Sequence, residues 1–129
     1  MRLARMVAVC SLLVLTLWPV PASAVDKVVV RGDCVAGPST WKLVTRQFDA
    51  STLLIRVEIN GGVAGQEWSM FVTDNGDKVI RNAKTSGTGG FVRWVRKTND
   101  RAGADDVVMS ALNRDSGETC GGSLSFQQN

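Results

Sequence analysis

Thr52–Asn60 reads Thr-Leu-Leu-Ile-Arg-Val-Glu-Ile-Asn, with Leu53, Ile55, Val57 and Ile59 on one parity and Arg56 and Glu58 on the other. Successive strand side chains point to opposite faces, so this alternation places one face on a core and the other in water. Such a strand needs a second layer to cover its apolar face. The rest of the chain reads as its neighbours and the turns between them.

Residues 27–34 open with Val28, Val29 and Val30, a β-branched run of the kind strands favour, and Val28, Val30 and Cys34 share a parity. After the turn residues Ala36-Gly37-Pro38-Ser39, residues 40–47 set Trp41, Leu43 and Thr45 against Lys42, Val44 and Arg46. Residues 66–73 carry Trp68, Met70 and Val72 on one parity. Asp74-Asn75-Gly76-Asp77 then predicts a type I′ hairpin into a returning strand over 78–84. The stretch 85–90, Thr-Ser-Gly-Thr-Gly-Gly, reads as a flexible exposed loop. In residues 91–98 either Phe91 and Val95 or Val92 and Trp94 face inward. Residues 106–113 place Val107, Met109 and Ala111 on one face, and 118–126 do the same with Cys120, Leu124 and Phe126. Eight short strands in one all-β domain predict a small antiparallel β-sandwich of immunoglobulin-like type. Antibody domains bridge two interior strands, whereas the cysteines here lie near the termini, which leaves the strand order open.

The N-terminus predicts export. Arg2 and Arg5 precede an apolar run over 6–17, and Ala22-Ser23-Ala24 forms a small-x-small cleavage site. A cleavable signal peptide over 1–24 and a single domain over 25–129 follow. The run is too short to span a bilayer, and Cys10 leaves with the signal. No sorting motif or hydrophobic tail follows Phe126, so a secreted, extracellular protein with no membrane span is expected. Cleavage lowers Lys plus Arg from 15 to 13 against 12 acids, so the net charge falls from +3 to +1 and no nucleic-acid partner is expected. Cys34 and Cys120 remain, and a pair in a small exported domain predicts a disulfide joining the first strand to the last.

Arg31-Gly32-Asp33-Cys34, Ser39-Thr40-Trp41-Lys42-Leu43, the loop from Asn60 to Trp68, Asp74-Asn75-Gly76, Arg101-Ala102-Gly103 and Gly117-Glu118-Thr119-Cys120 run in that order through the chain. This pattern, covering nearly all of 31–126, resembles a set of small, mostly uncharacterised exported proteins of actinobacteria that are expected to be β-sandwiches. The resemblance implies fold and export. It carries no catalytic residues.

The chain contains no His and no Tyr, which removes a Ser-His-Asp triad, a Cys-His pair and histidine metal sites. A bridged Cys34 and Cys120 leave no thiolate nucleophile; paired carboxylates of the glycosidase kind could be built from twelve acids, but most of those read as turn or solvent-facing residues, so a non-enzyme without cofactor or metal is expected. Asp100, Asp105 and Asp106 with Asn99, like Asp74, Asn75 and Asp77, read as solvated turns rather than calcium ligands. Arg31-Gly32-Asp33 matches the tripeptide that integrins read, but it runs straight into a bridged cysteine instead of a protruding loop.

Arg93, Trp94, Arg96 and Lys97 form the candidate binding surface. An exposed Trp94 beside Arg96 would stack on a sugar or anchor a protein, whereas a buried one leaves arginines along an edge strand. The functional expectation is a non-catalytic exported binding or interaction module for an extracellular protein or envelope component. The alternatives are a small-ligand or carbohydrate carrier built on Trp41, Trp68 or Trp94, and a protease inhibitor using a loop beside Cys34 or Cys120.

Overall fold

The computed structural model describes residues 26–127. The expected signal peptide, its cleavage point after Ala24 and Cys10 lie outside the described residues. Eight strands follow in order: β1 (Lys27–Asp33), β2 (Thr40–Asp49), β3 (Thr52–Asn60), β4 (Glu67–Asp74), β5 (Asp77–Thr85), β6 (Val92–Asn99), β7 (Ala104–Asn113) and β8 (Thr119–Gln127). They form two four-stranded antiparallel sheets, ordered β1-β2-β3-β6 and β5-β4-β7-β8. The chain thus has the two-layer plan of immunoglobulin-like sandwiches, with its own strand order: two meandering hairpins build three-quarters of the first sheet, and β6 crosses over to complete it.

Period-2 patterning places the core between the sheets. Leu53, Ile55, Val57 and Ile59 are fully buried, facing Trp68, Met70 and Val72 of β4 and Val107, Met109 and Ala111 of β7 in one cluster. In β6 it is Val92 and Trp94 that turn inward, while Phe91 and Val95 are exposed. The hairpin between β4 and β5 has positive φ at both Asn75 (49°) and Gly76 (84°), as a type I′ turn requires.

The two open edges of the sandwich close differently. At the β1/β8 edge, Cys34 is bonded to Cys120 across 86 residues of chain, and Val35 exchanges backbone hydrogen bonds with Thr119. The Trp41 indole fills this seam. It pairs with Gly32 of β1, and a Cβ at Gly32 would lie 2.6 Å from the ring, one at Gly122 of β8 only 2.1 Å from it. Both glycines are therefore the space the indole occupies. At the β5/β6 edge no bridge exists, and Lys84 Nζ instead donates to the Arg93 carbonyl at 2.7 Å.

One loop departs from expectation. The stretch 85–90 is packed rather than free: Ser86 and Gly90 are buried, and a short 3₁₀ turn spans Thr88–Gly90. Gly61 N–H donates to the Gly89 carbonyl and Gly65 N–H to the Ser86 carbonyl, while the Ser86 hydroxyl donates to the Val63 carbonyl. A Cβ at Gly90 would lie 2.4 Å from the Gly62 backbone, so the glycines here permit close approach of two loops.

Candidate functional site

The four candidate surface residues separate. Trp94 is 2% exposed and belongs to the core, and Trp41 and Trp68 are buried too, so among the described residues no indole offers a platform to a ligand. Arg96 shares the inward parity of Trp94, but β6 is an edge strand, and the side chain escapes sideways into a polar cleft of about 150 Å³ with Asn82 and Lys84. Arg93 and Lys97 point the other way, onto the outer face of the first sheet.

That outer face is built by register. Lys27, Arg46, Leu54 and Lys97 lie in one row across β1, β2, β3 and β6. The next outward row is Val29, Val44, Arg56 and Val95, and the third is Arg31, Lys42, Glu58 and Arg93. With Asp33 beyond, the face holds seven cations and two carboxylates, more than half of the 13 cations remaining after residue 24. Glu58 accepts from Arg93 Nε at 3.1 Å and lies 3.4 Å from Arg56 Nε. Among the described residues, Lys27, Arg31, Lys42, Arg46 and Lys97 have no carboxylate within ion-pair distance. Side chains lying across the face bury Val44 to 3% exposure although it points away from the core. Two exposed phenylalanines mark its ends. Phe48 carries Lys97 Nζ 3.7 Å above its ring, and Phe91 carries the Arg93 guanidinium at 5.4 Å. Beside Phe91 lies an open depression of about 440 Å³ walled by Arg31, Lys42 and Glu58.

The opposite outer face is different in kind. Ser69, Phe71, Arg81, Ala83, Ser110 and Leu112 line a broad groove, and Thr119, Gly121 and Ser123 of β8 continue that face. The cation Arg114 there is neutralised by Glu67 at 3.1 Å.

Three acids are buried, and for Asp74 and Asp105 this overturns the reading as solvated turn residues. Glu118 is buried and clamps the loop after Cys34, accepting from Ser39 N–H at 2.9 Å and from the Ser39 hydroxyl at 2.5 Å. Asp74 and Asp105 are buried within reach of each other at one end of the sandwich, and their four carboxylate oxygens lack a well-aligned donor, the Arg101 backbone N–H only partly offsetting this at Asp105. Burial drives both carboxyls above the ordinary aspartate range, and the neighbouring Asp74 charge adds to the rise at Asp105. Asp100 beside them is raised by desolvation and by Asp105. The signal for the pair was present: Asp74 continues the parity of Val72, and Asp105 that of Val107. Asp77 forms an ion pair with Arg101, and Asn75 holds Asp106 N–H, so those residues serve the turn. Among the described residues no group of three or more Cys, His, Asp or Glu is arranged to hold a metal ion. Arg31-Gly32-Asp33 lies within β1, paired to Lys42, Trp41 and Thr40, and does not protrude.

No protein-family model and no curated protein matches this chain.

Proposed function

We propose that this chain is an exported, non-catalytic binding domain that engages an acidic extracellular or envelope partner through the outer face of β1, β2, β3 and β6. The observation that carries the reading is the separation of charge: seven cations against two carboxylates on one sheet face of a domain that is nearly neutral after residue 24. Such a face steers acidic partners toward one orientation even when net charge is small. The two domain cysteines are bonded to each other and the chain has no histidine, which leaves little with which to build a nucleophile. The alternatives lack a platform. A carrier stacking its ligand on Trp41, Trp68 or Trp94 would find each of them buried, and an inhibitor loop at Val35 would have to offer backbone groups already bonded to Thr119.

The test is saturable binding of the labelled, oxidised protein to isolated cell envelopes. A Lys42→Glu, Arg46→Glu double variant with unchanged circular dichroism is expected to lose that binding, as is the parent in high salt. Undiminished binding by the variant refutes the reading.

A further inference from the structure

We infer that the partner of the basic face is an anionic lipid surface, on which the domain lies flat with Phe48 and Phe91 dipping into the headgroup boundary. The inference rests on the binding reading above and names the chemistry of the partner. Three features of the face favour a plane over a line of charge.

The unpaired cations fall in two rows rather than one stripe: Lys27, Arg46 and Lys97 in the first, Arg31 and Lys42 in the second. These rows are four residues apart along each strand, a separation of about 13 Å at ~3.3 Å per residue. A linear polyanion following one row would leave the other without a counter-charge. A sheet of headgroups meets both at once.

Three of the four residues in the row between them are valines, Val29 and Val95 reaching solvent beside the buried Val44, and the fourth, Arg56, is drawn to Glu58 in the next row. An apolar strip flanked by cations gains nothing from a hydrated polymer lying on it. It fits the interfacial zone of a bilayer, where basic side chains hold the headgroups and apolar groups sit just below them.

Phe48 and Phe91 occupy opposite ends of the face, 45% and 37% exposed, and each lies under a cation. An exposed aromatic with its cation above the ring presents both halves of an interfacial anchor at one point. The depression beside Phe91, with Arg31 and Lys42 on its wall, is wide enough for one phosphate headgroup.

The experiment is co-sedimentation with vesicles of phosphatidylcholine, with and without one-quarter phosphatidylglycerol, at two salt concentrations. The parent is expected to bind the anionic vesicles only, and more weakly as salt rises. Each basic residue near an anionic surface contributes roughly fivefold in affinity, so Lys42→Glu with Arg46→Glu is expected to lower binding at least ~25-fold. Phe91→Ser is expected to weaken binding with less change in salt dependence, and Lys78→Glu with Arg81→Glu on the other sheet is expected to have little effect. Failure of the parent to bind anionic vesicles overturns the inference. Dextran sulfate in parallel separates the two levels: capture by that polymer through Lys42 and Arg46, with vesicles ignored, overturns the lipid assignment while the basic face keeps its role. Equal loss of vesicle binding from reversals on either sheet also overturns it, because attraction would then follow net charge and not the face.

Discussion

Removing the Cys34–Cys120 bridge is expected to cost this domain most of its stability without changing its fold. The bond closes 86 residues of chain, nearly the whole described domain. In the chain-entropy treatment a loop of that size loses about 15 cal/mol/K in the unfolded state, which is about 4.6 kcal/mol at 25 °C. For a domain of this size, that corresponds to a fall in Tm of roughly 20–30 °C. The native arrangement around the bond has other ties, because Val35 remains paired with Thr119 and Glu118 still holds Ser39. The effect should therefore appear mainly in the unfolded ensemble, as a lower urea midpoint and a larger m-value for the Cys34→Ser, Cys120→Ser variant. Tryptophan emission is a suitable readout, since Trp41, Trp68 and Trp94 are all buried in the native state and all become exposed on unfolding. A loss below about 1 kcal/mol with an unchanged m-value would refute the reasoning, since the entropic effect of an 86-residue loop cannot be that small unless the unfolded chain is already held together there.

Two further outcomes follow from buried groups. Asp74 and Asp105 hold their protons above the ordinary aspartate range, so the folded state binds more protons than the unfolded one between that range and the raised values; stability is fully present below the unfolded value and falls as pH rises through the folded ones. Asp105→Asn keeps a donor for Asp74 and removes one ionisation, so it is expected to stabilise the domain at pH 7.5 more than at pH 4, measured by urea unfolding; a pH dependence equal to the parent's would contradict this. Gly122→Ala drives a methyl against the Trp41 ring and is expected to cost about 1–3 kcal/mol in urea unfolding with a change in native emission. Gly121→Ala meets its nearest heavy atom only at 3.8 Å and serves as the control; equal losses in the two variants would show that the indole does not fill the seam.

Much of the fold was legible because strand faces write themselves in parity. All eight strands lie where alternation and turn residues place them, with boundaries shifted by one or two residues, and the disulfide joins the ends as the cysteine count implied. The ambiguity in β6 was real. Phe91, Val92, Trp94 and Val95 support either face, and only the pairing of Trp94 with Val57 on the core side decides it. The loop at 85–90 packs where its sequence suggests free chain, because glycine marks both flexible chain and close approach, and distinguishing them requires the neighbouring loop, which lies more than 20 residues earlier. Asp74 and Asp105 read as turn residues in the sequence because turn chemistry explains an aspartate equally well, even when its parity runs into the core.

The basic face was invisible for a different reason, and the reason explains how a nearly neutral domain becomes polar. Its outward residues come from four separate stretches, and β6 joins β3 only after two strands of the other sheet have intervened. Net charge adds these cations to acids that the fold sends elsewhere. Asp49, Asp77 and Asp115 lie at strand ends or in turns, where their carboxylates accept backbone hydrogen bonds or form an ion pair, while Asp74, Asp105 and Glu118 are buried. Lysine and arginine are poor turn formers with long apolar stems, and they lie along exposed strand faces instead. The second sheet escapes the same fate because β7 and β8 present Ser110, Gly121, Ser123 and Ser125 outward. Division of labour between turn and strand residues thus sorts the charges by position, and strand order then gathers the positive ones onto one side. A reversal of Lys42 or Arg46 should accordingly change the surface more than it changes the fold, which is what makes this face open to direct test.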